Sequence, residues 1–329
     1  MIIDAVIDTP FGETVVEYPA FTLAFNKLTQ FFNSRSNKPR GLLIVGPSGA
    51  GKSFLTEYFR HKHPVIDTDE ATLRPVLYIE TPPKTSLGDI LSEMLVAMGD
   101  PIPESGTIPQ RRRRLRQLLA LQGTLMIFID ESQDLVPKSG ADPKTQTIKL
   151  LKGLMNDTKI PLVLTGTLDA KDLITADAQI RTRIKSIVEL DYFRCWTPDS
   201  ALDFADYWQN LLDTFPRNVR DFRFCHEDDD GNISLDEDII NLIRMNLATN
   251  GCQRRIYDLL EEVKFQTTDK DVITKAIFAQ AWETFSGLEG PGSNPEVQLD
   301  TLTFNPFEAS PKKVIEEAQF RGLYDANNF

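Results

Sequence analysis

The sequence predicts an α/β fold with a parallel sheet core sandwiched by helices and a small C-terminal helical lid domain. Short apolar runs, typical of buried parallel strands, alternate with helical patterns between about residues 18 and 192. A glycine-rich loop follows the first clear run, and an acidic pair ends a later one. From residue 197 onward the pattern becomes helical.

The glycine-rich loop Gly46–Ser53 reads GPSGAGKS, a complete G-x-x-x-x-G-K-S pattern. It lies between the apolar run Leu42–Val45 and the helix-prone stretch Phe54–Phe59. Glycines let successive backbone N–H groups point inward, and a helix N-terminus adds partial positive charge. We expect Lys52 to reach the β and γ phosphates, and the Ser53 hydroxyl to ligate Mg²⁺. The sequence therefore predicts bound ATP and Mg²⁺, with the nucleotide held by Gly46, Pro47, Ser48, Gly49, Ala50, Gly51, Lys52, Ser53 and Phe54.

The bulk composition is that of an ordinary globular protein. With 329 residues and 37.2 kDa, the chain has room for two domains. A net charge of −12 argues against a protein that coats nucleic acid by bulk electrostatics, although it leaves room for a local basic patch. Three widely spaced cysteines favour buried thiols in a reducing cytoplasm. We find no signal peptide and no apolar stretch near the roughly 20 residues that span a bilayer, so we expect no membrane association.

The spacing of apolar residues predicts the helices and strands of the core. The first helix has phenylalanines and leucine at helical spacing, and the later helices end at glycine or at polar segments. Predicted helices are Ala20–Asn33, Ser86–Met98, an arginine-rich helix that follows the polar segment Asp100–Ile108 and runs to about Gln122, and Thr145–Asn156. Predicted strands are Leu42–Val45, Val76–Glu80, Leu125–Ile129, Pro161–Leu164 and Ile187–Leu190.

The sequence after the core predicts four helices, a linker and a tail. The helices span Asp199–Phe215, Asp236–Ala248, Gln253–Thr267 and Lys270–Phe285. We therefore divide the chain into an N-terminal arm (1–17), a nucleotide-binding core (18–192), a helical lid domain (193–286), and a linker with a partner-binding tail (287–329). The tail contains a short predicted helix, Pro311–Phe320, and apolar residues suited to docking into a groove: Leu302, Phe304, Phe307, Phe320 and Leu323.

Two adjacent carboxylates, Asp130 and Glu131, end an apolar strand. In an ATPase the first holds Mg²⁺ through its hydration shell and the second polarises the attacking water. The glutamate favours a hydrolysing ATPase over a GTPase or a small-molecule kinase. Thr165 and Thr167, at the tip of the next strand, are both candidates for sensing the γ-phosphate, and we favour Thr167.

Arginines occupy two further positions of interest. Arg181 and Arg183 precede the last core strand, a position that faces outward toward a neighbouring subunit in a ring. Gly251 opens a helix whose Arg254 suits a lid over the γ-phosphate, with Arg255 as the alternative.

Together these motifs resemble the AAA+ ATPases, and more narrowly the TniB/TnsC regulators of transposition. The most specific segments are GPSGAGKS, YIETPP (Tyr78–Pro83), IDESQDL (Ile129–Leu135), PLVLTGT (Pro161–Thr167) and DAQIRTRI (Asp177–Ile184). The similarity extends from about Tyr18 to Phe285.

This resemblance implies an AAA+ P-loop fold and an ATPase that forms a hexameric or heptameric ring, or a filament, on duplex DNA. It implies that the protein links a target-selection adaptor (TniQ/TnsD-like) to a transposase, and that ATP hydrolysis disassembles the assembly. It also implies that Tyr18 contacts the nucleotide and that Arg183 acts as a finger on a neighbour's nucleotide. The family's S-R-F-like motif reads T-R-I here, and Arg181 is an additional arginine that could share the role.

Two basic segments are candidates for non-sequence-specific contact with DNA phosphates. They are Lys84 with Thr85, and the run Arg111, Arg112, Arg113, Arg114 and Arg116. In the run, a solvated helix face or an anchor for an acidic neighbour explains the arginines equally well.

The segment His226–Glu237 matches several positions of a calcium loop, but His226 is a poor ligand for a hard cation. We interpret it as an acidic turn. Two other functions remain open: a helicase-loader-type replication ATPase, and a nucleotide-gated signalling scaffold that does not bind DNA.

Overall fold

A computed structural model describes residues 15–34, 38, 40–82, 86–135, 143–176, 178–227, 233–235, 239–288 and 302–328. The chain divides into two compact units. The described part of the first unit is residues 20–190, and that of the second is residues 15–19 together with residues from 191 onward.

The first unit is built on five parallel strands. In chain order, the strands among its described residues are β1 (Gly41–Val45), β2 (Ile66–Asp67), β3 (Thr72–Leu73), β4 (Val76–Glu80), β5 (Met126–Asp130), β6 (Leu162–Gly166) and β7 (Ile184–Glu189). The sheet has the order β4-β5-β6-β1-β7, and every adjacent pair is parallel. β2 and β3 form a separate antiparallel hairpin. The carboxyl ends of β1, β5 and β6 therefore meet at one edge.

Helices cover both faces of this sheet. They are α1 (Pro19–Asn33), α2 (Lys52–Lys62), α3 (Leu87–Ala97), α4 (Ile108–Leu121), α5 (Pro143–Thr158), α6 (Lys171–Ala176) and α7 (Ala178–Arg183), with 3-10 turns at Ser132–Leu135 and Leu168–Ala170. Residues of α3, α4 and α5 share one core with alternate strand residues such as Leu43 and Ile127. On the other face, the ring of Phe59 on α2 lies 5.8 Å from that of Phe128 on β5. The predicted α/β fold is confirmed.

Three local elements of this unit differ from the prediction. β7 begins at Ile184 rather than Ile187. The prediction missed the start of this strand because only two of its six residues are buried and its sequence lacks a continuous apolar run. The short helices α6 and α7 precede it, so Arg183 ends a helix. The β2–β3 hairpin was not predicted, since strands of two residues leave no periodic signal.

The second unit is mainly helical. It contains α8 (Pro198–Thr214), α9 (Ile239–Thr249), α10 (Gln253–Gln266), α11 (Lys275–Leu288) and α12 (Pro311–Phe320). Two small strand pairs join them, β8 (Asn218–Val219) with β11 (Val272–Ile273), and β9 (Cys225–Glu227) with β10 (Ile233–Leu235). The predicted helix Lys270–Phe285 begins only at Lys275, because β11 occupies the residues before it.

The C-terminal segment packs into this second unit. Phe307 is buried, with its ring 5.7 Å from that of Phe278. The N–H of Cys195 donates to the carbonyl of Leu323 across 2.9 Å. Two of the apolar residues on which the docking prediction depends, Phe307 and Leu323, are thus buried within their own unit, whereas Phe320 is 81% exposed. The linker falls almost wholly outside the described residues.

None of the helices in the described ranges is long and apolar enough to cross a membrane.

Candidate nucleotide-binding site

The glycine-rich loop joins β1 to α2 at the carboxyl edge of the sheet. Gly49 and Gly51 have φ angles of 80° and 82°, a region that residues with a Cβ rarely adopt. At Gly46 a Cβ would lie 1.9 Å from the carbonyl oxygen of Leu190, so the end of the last strand leaves space only for glycine. Sequence and packing therefore require glycine at these three positions.

Lys52 opens α2 and lies over the loop. It is 9% exposed, and its ammonium group donates to the carbonyl oxygens of Gly46 (2.9 Å) and Pro47 (2.8 Å). Ser53 follows on the exposed side of the first helical turn. Left-handed glycines, a buried ammonium and a helix N-terminus at one place fit a polyphosphate. This part of the chain is suited to hold the phosphates of a nucleotide.

Asp130 is the buried carboxylate at the end of β5, and three groups hold it. The Thr165 hydroxyl on β6 donates to Oδ1 across 2.5 Å, and the Glu131 backbone N–H donates to the same oxygen across 2.9 Å. The Tyr78 phenol on β4 donates to Oδ2 across 3.2 Å. Burial, and then the charge of Asp130, raises the pKa of Tyr78, so its phenol stays protonated and donates at neutral pH.

The donor set at this edge fits Mg²⁺. A carboxylate and a serine hydroxyl are hard oxygen ligands, which Mg²⁺ prefers while keeping several of its waters. Asp130 and Ser53 would hold the ion, Asp130 with both oxygens already oriented by protein donors. Elsewhere in the described chain, no group of three His, Cys, Asp or Glu side chains is placed to bind a metal.

Glu131 follows Asp130 in a strained backbone conformation, with a φ of 50°. Positive φ at a residue with a Cβ costs on the order of 1 kcal/mol and concentrates at functional sites. Its Oε2 accepts a hydrogen bond from the side-chain amide of Gln133. The Oε1 of Gln133 in turn accepts from the backbone N–H of Thr167 across 3.0 Å. Glu131 is thereby connected to the tip of β6.

The two candidate threonines differ in what they bind. Thr165 is fully buried, and its hydroxyl already donates to Asp130. The Thr167 hydroxyl is buried and has no hydrogen-bond partner among the described residues. An orphaned buried hydroxyl at this edge fits the presence of a further polar ligand.

Sequence reasoning missed Tyr78 and Gln133 as parts of this site, and it did not recognise that Thr165 holds Asp130. Tyr78 and Gln133 do lie within the segments YIETPP and IDESQDL. Pairing of β4, β5 and β6 brings these residues together, and a linear pattern does not show which strands are neighbours.

The family model described as bacterial TniB protein matches residues 11–192, which is more than half of the chain. The chain belongs to the TniB family. The structure of Cdc6p from Pyrobaculum aerophilum is similar at 18% identity and a TM-score of 0.52, over 94% of this chain and 84% of that one. A Walker-type ATPase of Pyrococcus abyssi is similar at 15% identity and a TM-score of 0.51, over 87% and 77% of the two chains.

The Orc2 protein of Aeropyrum pernix has 14% identity and a TM-score of 0.48, over 80% of this chain and 66% of its own. Thus the TniB chain spans slightly less than two thirds of that relative. The similarities with TM-scores above 0.5 show only that this chain shares the fold of those two proteins. No protein of curated function matches the sequence.

In this TniB chain, the arginines before β7 differ in accessibility. Arg181 is exposed, whereas Arg183 is half-buried and donates to the side chain of Asn156 across 3.1 Å. Arg254 and Arg255 lie in the first turn of α10, in the second unit, with Arg254 exposed.

Tyr18 also belongs to the second unit. Its ring lies 5.0 Å from that of Phe193 and 5.4 Å from that of Tyr207, and its hydroxyl accepts from Gln253 across 3.4 Å. Burial raises the pKa of Tyr18 above its usual value. Its side chain is 7% exposed, so its contacts are those of a core residue.

The arginines of α4 largely bind the protein itself. Arg111 donates to Ser92 (2.9 Å) and Gly88 (3.3 Å) on α3, and to the carbonyls of Gly106 (3.1 Å) and Glu104 in the loop before α4. Arg114 donates to Asp100 across 2.8 Å and to the carbonyls of Ser105 and Ile102, each across 2.9 Å.

The other three α4 arginines lie nearer to solvent. Arg112 and Arg116 share Asp157 at 3.0 Å and 3.6 Å, on a surface where all three side chains are about one-third to one-half exposed. Arg113 is exposed. Arg111 and Arg114 therefore fix the loop before α4, and the remaining three are better placed to meet a partner.

Two predictions fall largely outside the described residues. Lys84 and Thr85 are not described. Most of the calcium-loop match is not described either, although Ser234 and His226 are paired across 3.0 Å between β9 and β10.

Proposed function

We propose that this TniB-family chain is a magnesium-dependent ATPase that regulates transposition. It binds ATP, oligomerises as a ring or filament on duplex DNA, and links target-site selection to transposase activation, with hydrolysis driving disassembly. One observation carries the enzymatic part. Strand β5, which ends at Asp130 and is followed by Glu131, lies two positions from the glycine-loop strand β1, and both strands end at the same edge of the sheet.

The hydrolysis step follows from the placement of these groups. Glu131 orients and polarises a water, which attacks the γ-phosphorus while the bond to the bridging oxygen breaks, giving ADP and phosphate. Lys52 and the backbone N–H groups of the loop offset the negative charge that develops on the phosphoryl oxygens. Bound Mg²⁺ would supply further positive charge there. Thr167 offers an unpaired hydroxyl for the γ-phosphate.

Oligomerisation completes the site in this proposal. An arginine from the next subunit stabilises the transition-state charge, an effect worth about 10³–10⁵ in turnover in related systems. Arg183 and Arg181 are the two candidates. Arg181 is exposed and can reach a neighbour directly, while Arg183 must first release Asn156. We further propose that Arg254 of the helical unit contacts the γ-phosphate as part of the lid.

DNA binding requires a local basic surface, because the whole chain carries a net charge of −12. The exposed Arg113, together with Arg112 and Arg116, supplies one on α4. Guanidinium contacts to phosphates give affinity without sequence readout, so target choice is left to the adaptor.

The test uses the full-length chain with Glu131→Gln, ATP, Mg²⁺ and duplex DNA. We expect this variant to bind ATP without hydrolysing it, and to form rings or filaments on DNA that persist under the electron microscope. The wild type should form the same assemblies and lose them as ATP is consumed. Lys52→Ala is the control, since it should fail to bind ATP and leave the duplex bare. Glu131→Gln protein that leaves the duplex bare at low salt contradicts the proposal.

A further inference from the structure

We propose that Gln133 is a positioning residue for ATP hydrolysis, because its amide ties the Glu131 carboxylate to the backbone of Thr167. This inference rests on the proposed ATPase function. It gives Gln133, the third residue after Asp130, a role in orienting the Glu131 carboxylate, which polarises the attacking water. The contacts are direct: Gln133 donates to Oε2 of Glu131 and accepts from the Thr167 N–H.

The backbone that carries Gln133 is firmly held. Gln133 lies in the 3-10 turn Ser132–Leu135, which the N–H of Asp134 closes by donating to the carbonyl of Glu131 across 3.0 Å. On either side of Gln133, Ser132 is 0% exposed and Leu135 is 2% exposed. The Gln133 side chain therefore begins from a fixed point.

The amide group of Gln133 also occupies a space that the absence of a side chain at Gly166 leaves open. Its Oε1 packs against Gly166, where a Cβ would lie 2.4 Å from that oxygen. Glycine at the end of β6 thus leaves space for the amide between the two loops. The bridge depends on residues from β5, its following turn and β6, all within the first unit.

A side-chain amide satisfies both ends of this bridge. Oε2 of Glu131 needs a donor and the N–H of Thr167 needs an acceptor, and an amide offers both at once. Among the described residues, Oε1 of Glu131 makes no hydrogen bond, so one carboxylate oxygen is anchored and the other can meet the water. A carboxylate held in one orientation loses less entropy at the transition state than a mobile one.

A purely structural role for Gln133 makes a different prediction. If the amide only joins two loops, its removal lowers stability but leaves the turnover of the folded protein unchanged. If it aims Glu131, its removal lowers kcat while ATP binding, which depends on the glycine loop, stays the same.

The experiment compares Gln133→Leu and Gly166→Ala with wild type, each on duplex DNA. Gln133→Leu removes both hydrogen bonds, and Gly166→Ala displaces the amide without deleting it. We expect kcat to fall on the order of tenfold to a hundredfold in both, as displaced catalytic groups do. KM, and the Kd of a fluorescent ATP analogue, should stay at wild-type values. Asp134→Asn, an exposed change in the same turn, is the matched control and should keep wild-type kcat.

A coupling measurement separates positioning from an independent effect. In a Glu131→Asp background, whose shorter side chain no longer reaches the Gln133 amide, Gln133→Leu should cause no further loss of the residual kcat, since the contact that it removes is already broken. Full additivity of the two losses would overturn the inference.

The remaining outcomes are equally decisive. A Gln133→Leu protein with wild-type or raised kcat overturns the inference, and so does an unfolded Gln133→Leu protein alongside a Gly166→Ala protein of normal kcat. A wild-type protein without any ATP hydrolysis overturns the proposed function itself, and this inference with it.

Discussion

The hydroxyl of Thr165 on β6 donates to Oδ1 of Asp130 on β5 across 2.5 Å, inside a fully buried part of the sheet. This contact joins the tip of one strand to the carboxylate assigned to Mg²⁺ on the next. The proposed metal site and β6, the strand that Thr167 follows, therefore share a hydrogen bond as well as a sheet edge.

Replacement of Thr165 by valine, which has the same shape, should weaken the metal site. Asp130 would keep its charge but lose a donor, so a higher Mg²⁺ concentration should be needed for half-maximal ATPase activity. The loss of one of the two hydrogen bonds to this buried carboxylate oxygen should also lower the free energy of unfolding by about 1–3 kcal/mol. Mg²⁺ titrations and urea denaturation measure the two effects. Thr175→Val, on the exposed side of α6, is the control, and equal Mg²⁺ titration curves for both variants contradict the assignment.

Gly46→Ala should abolish nucleotide binding and strongly destabilise the first unit. Its Cβ would lie 1.9 Å from the carbonyl oxygen of Leu190, which is backbone and cannot move alone. Gly99→Ala is a demanding control, because Gly99 also has a positive φ (76°) but has nothing within 4 Å of a Cβ. The positive φ alone should lower the free energy of unfolding of Gly99→Ala by about 1 kcal/mol. Thermal denaturation and binding of a fluorescent ATP analogue compare the two variants, and similar melting temperatures would show that close packing is not the cause.

Asp100→Asn should destabilise the first unit in a pH-dependent manner. Burial acts to raise the pKa of Asp100, but the Ile102 N–H and the Arg114 guanidinium outweigh it, and the net shift lowers the pKa. The carboxylate therefore adds stability above its unfolded pKa of about 3.9, and this contribution disappears as the pH falls through the lower folded value. Urea midpoints of wild type and Asp100→Asn should differ at neutral pH and converge as the pH falls below the lowered pKa of Asp100 in the folded state.

The control for Asp100 is Asp157→Asn. Asp157 pairs with Arg112 on a surface where both side chains are about one-third exposed. Such a pair contributes roughly 0–1 kcal/mol, so this variant should change the urea midpoint far less. A larger effect from Asp157 than from Asp100 would show that burial is not the deciding factor.

The α4 arginines should separate into two groups by experiment. Arg113→Ala should reduce DNA affinity at low salt and lower the slope of log affinity against log salt by about one unit, with no loss of stability. Arg114→Ala should instead lower stability, because it removes three hydrogen bonds, one of them to the buried Asp100. Fluorescence anisotropy with a labelled duplex across a salt series measures the first effect, and thermal denaturation the second. If the slope of log affinity against log salt is the same for Arg113→Ala and wild type, Arg113 does not contact DNA.

The tail can be examined with two phenylalanines. Phe307 is 1% exposed and packs with Phe278 and Phe222, so Phe307→Ala should cost about 3–5 kcal/mol of stability. Phe320 is 81% exposed, so Phe320→Ala should leave the melting temperature unchanged. If the tail binds a transposase or an adaptor, only Phe320→Ala should weaken that binding while the protein stays folded. Equal binding by wild type and Phe320→Ala in a pull-down would contradict a role for this surface.

The sequence by itself determined the fold class, the glycine loop and the acidic pair. These features depend on local rules: continuous apolar runs for buried strands, glycine where φ is positive, and a fixed spacing of Lys52 and Ser53 from the loop. Such signals lie within a few neighbouring residues, so they can be read without knowing which strands pair.

Tertiary structure alone decided how those pieces are joined. The order β4-β5-β6-β1-β7 brings Tyr78, Asp130 and Thr165 together, and no local pattern encodes that order. It likewise decided that Arg111 and Arg114 bind the preceding loop, because charge in a sequence does not reveal its partner. The apolar residues of the tail show the same limit: hydrophobicity predicts burial, but only packing shows that Phe307 is buried in its own unit and Phe320 is not.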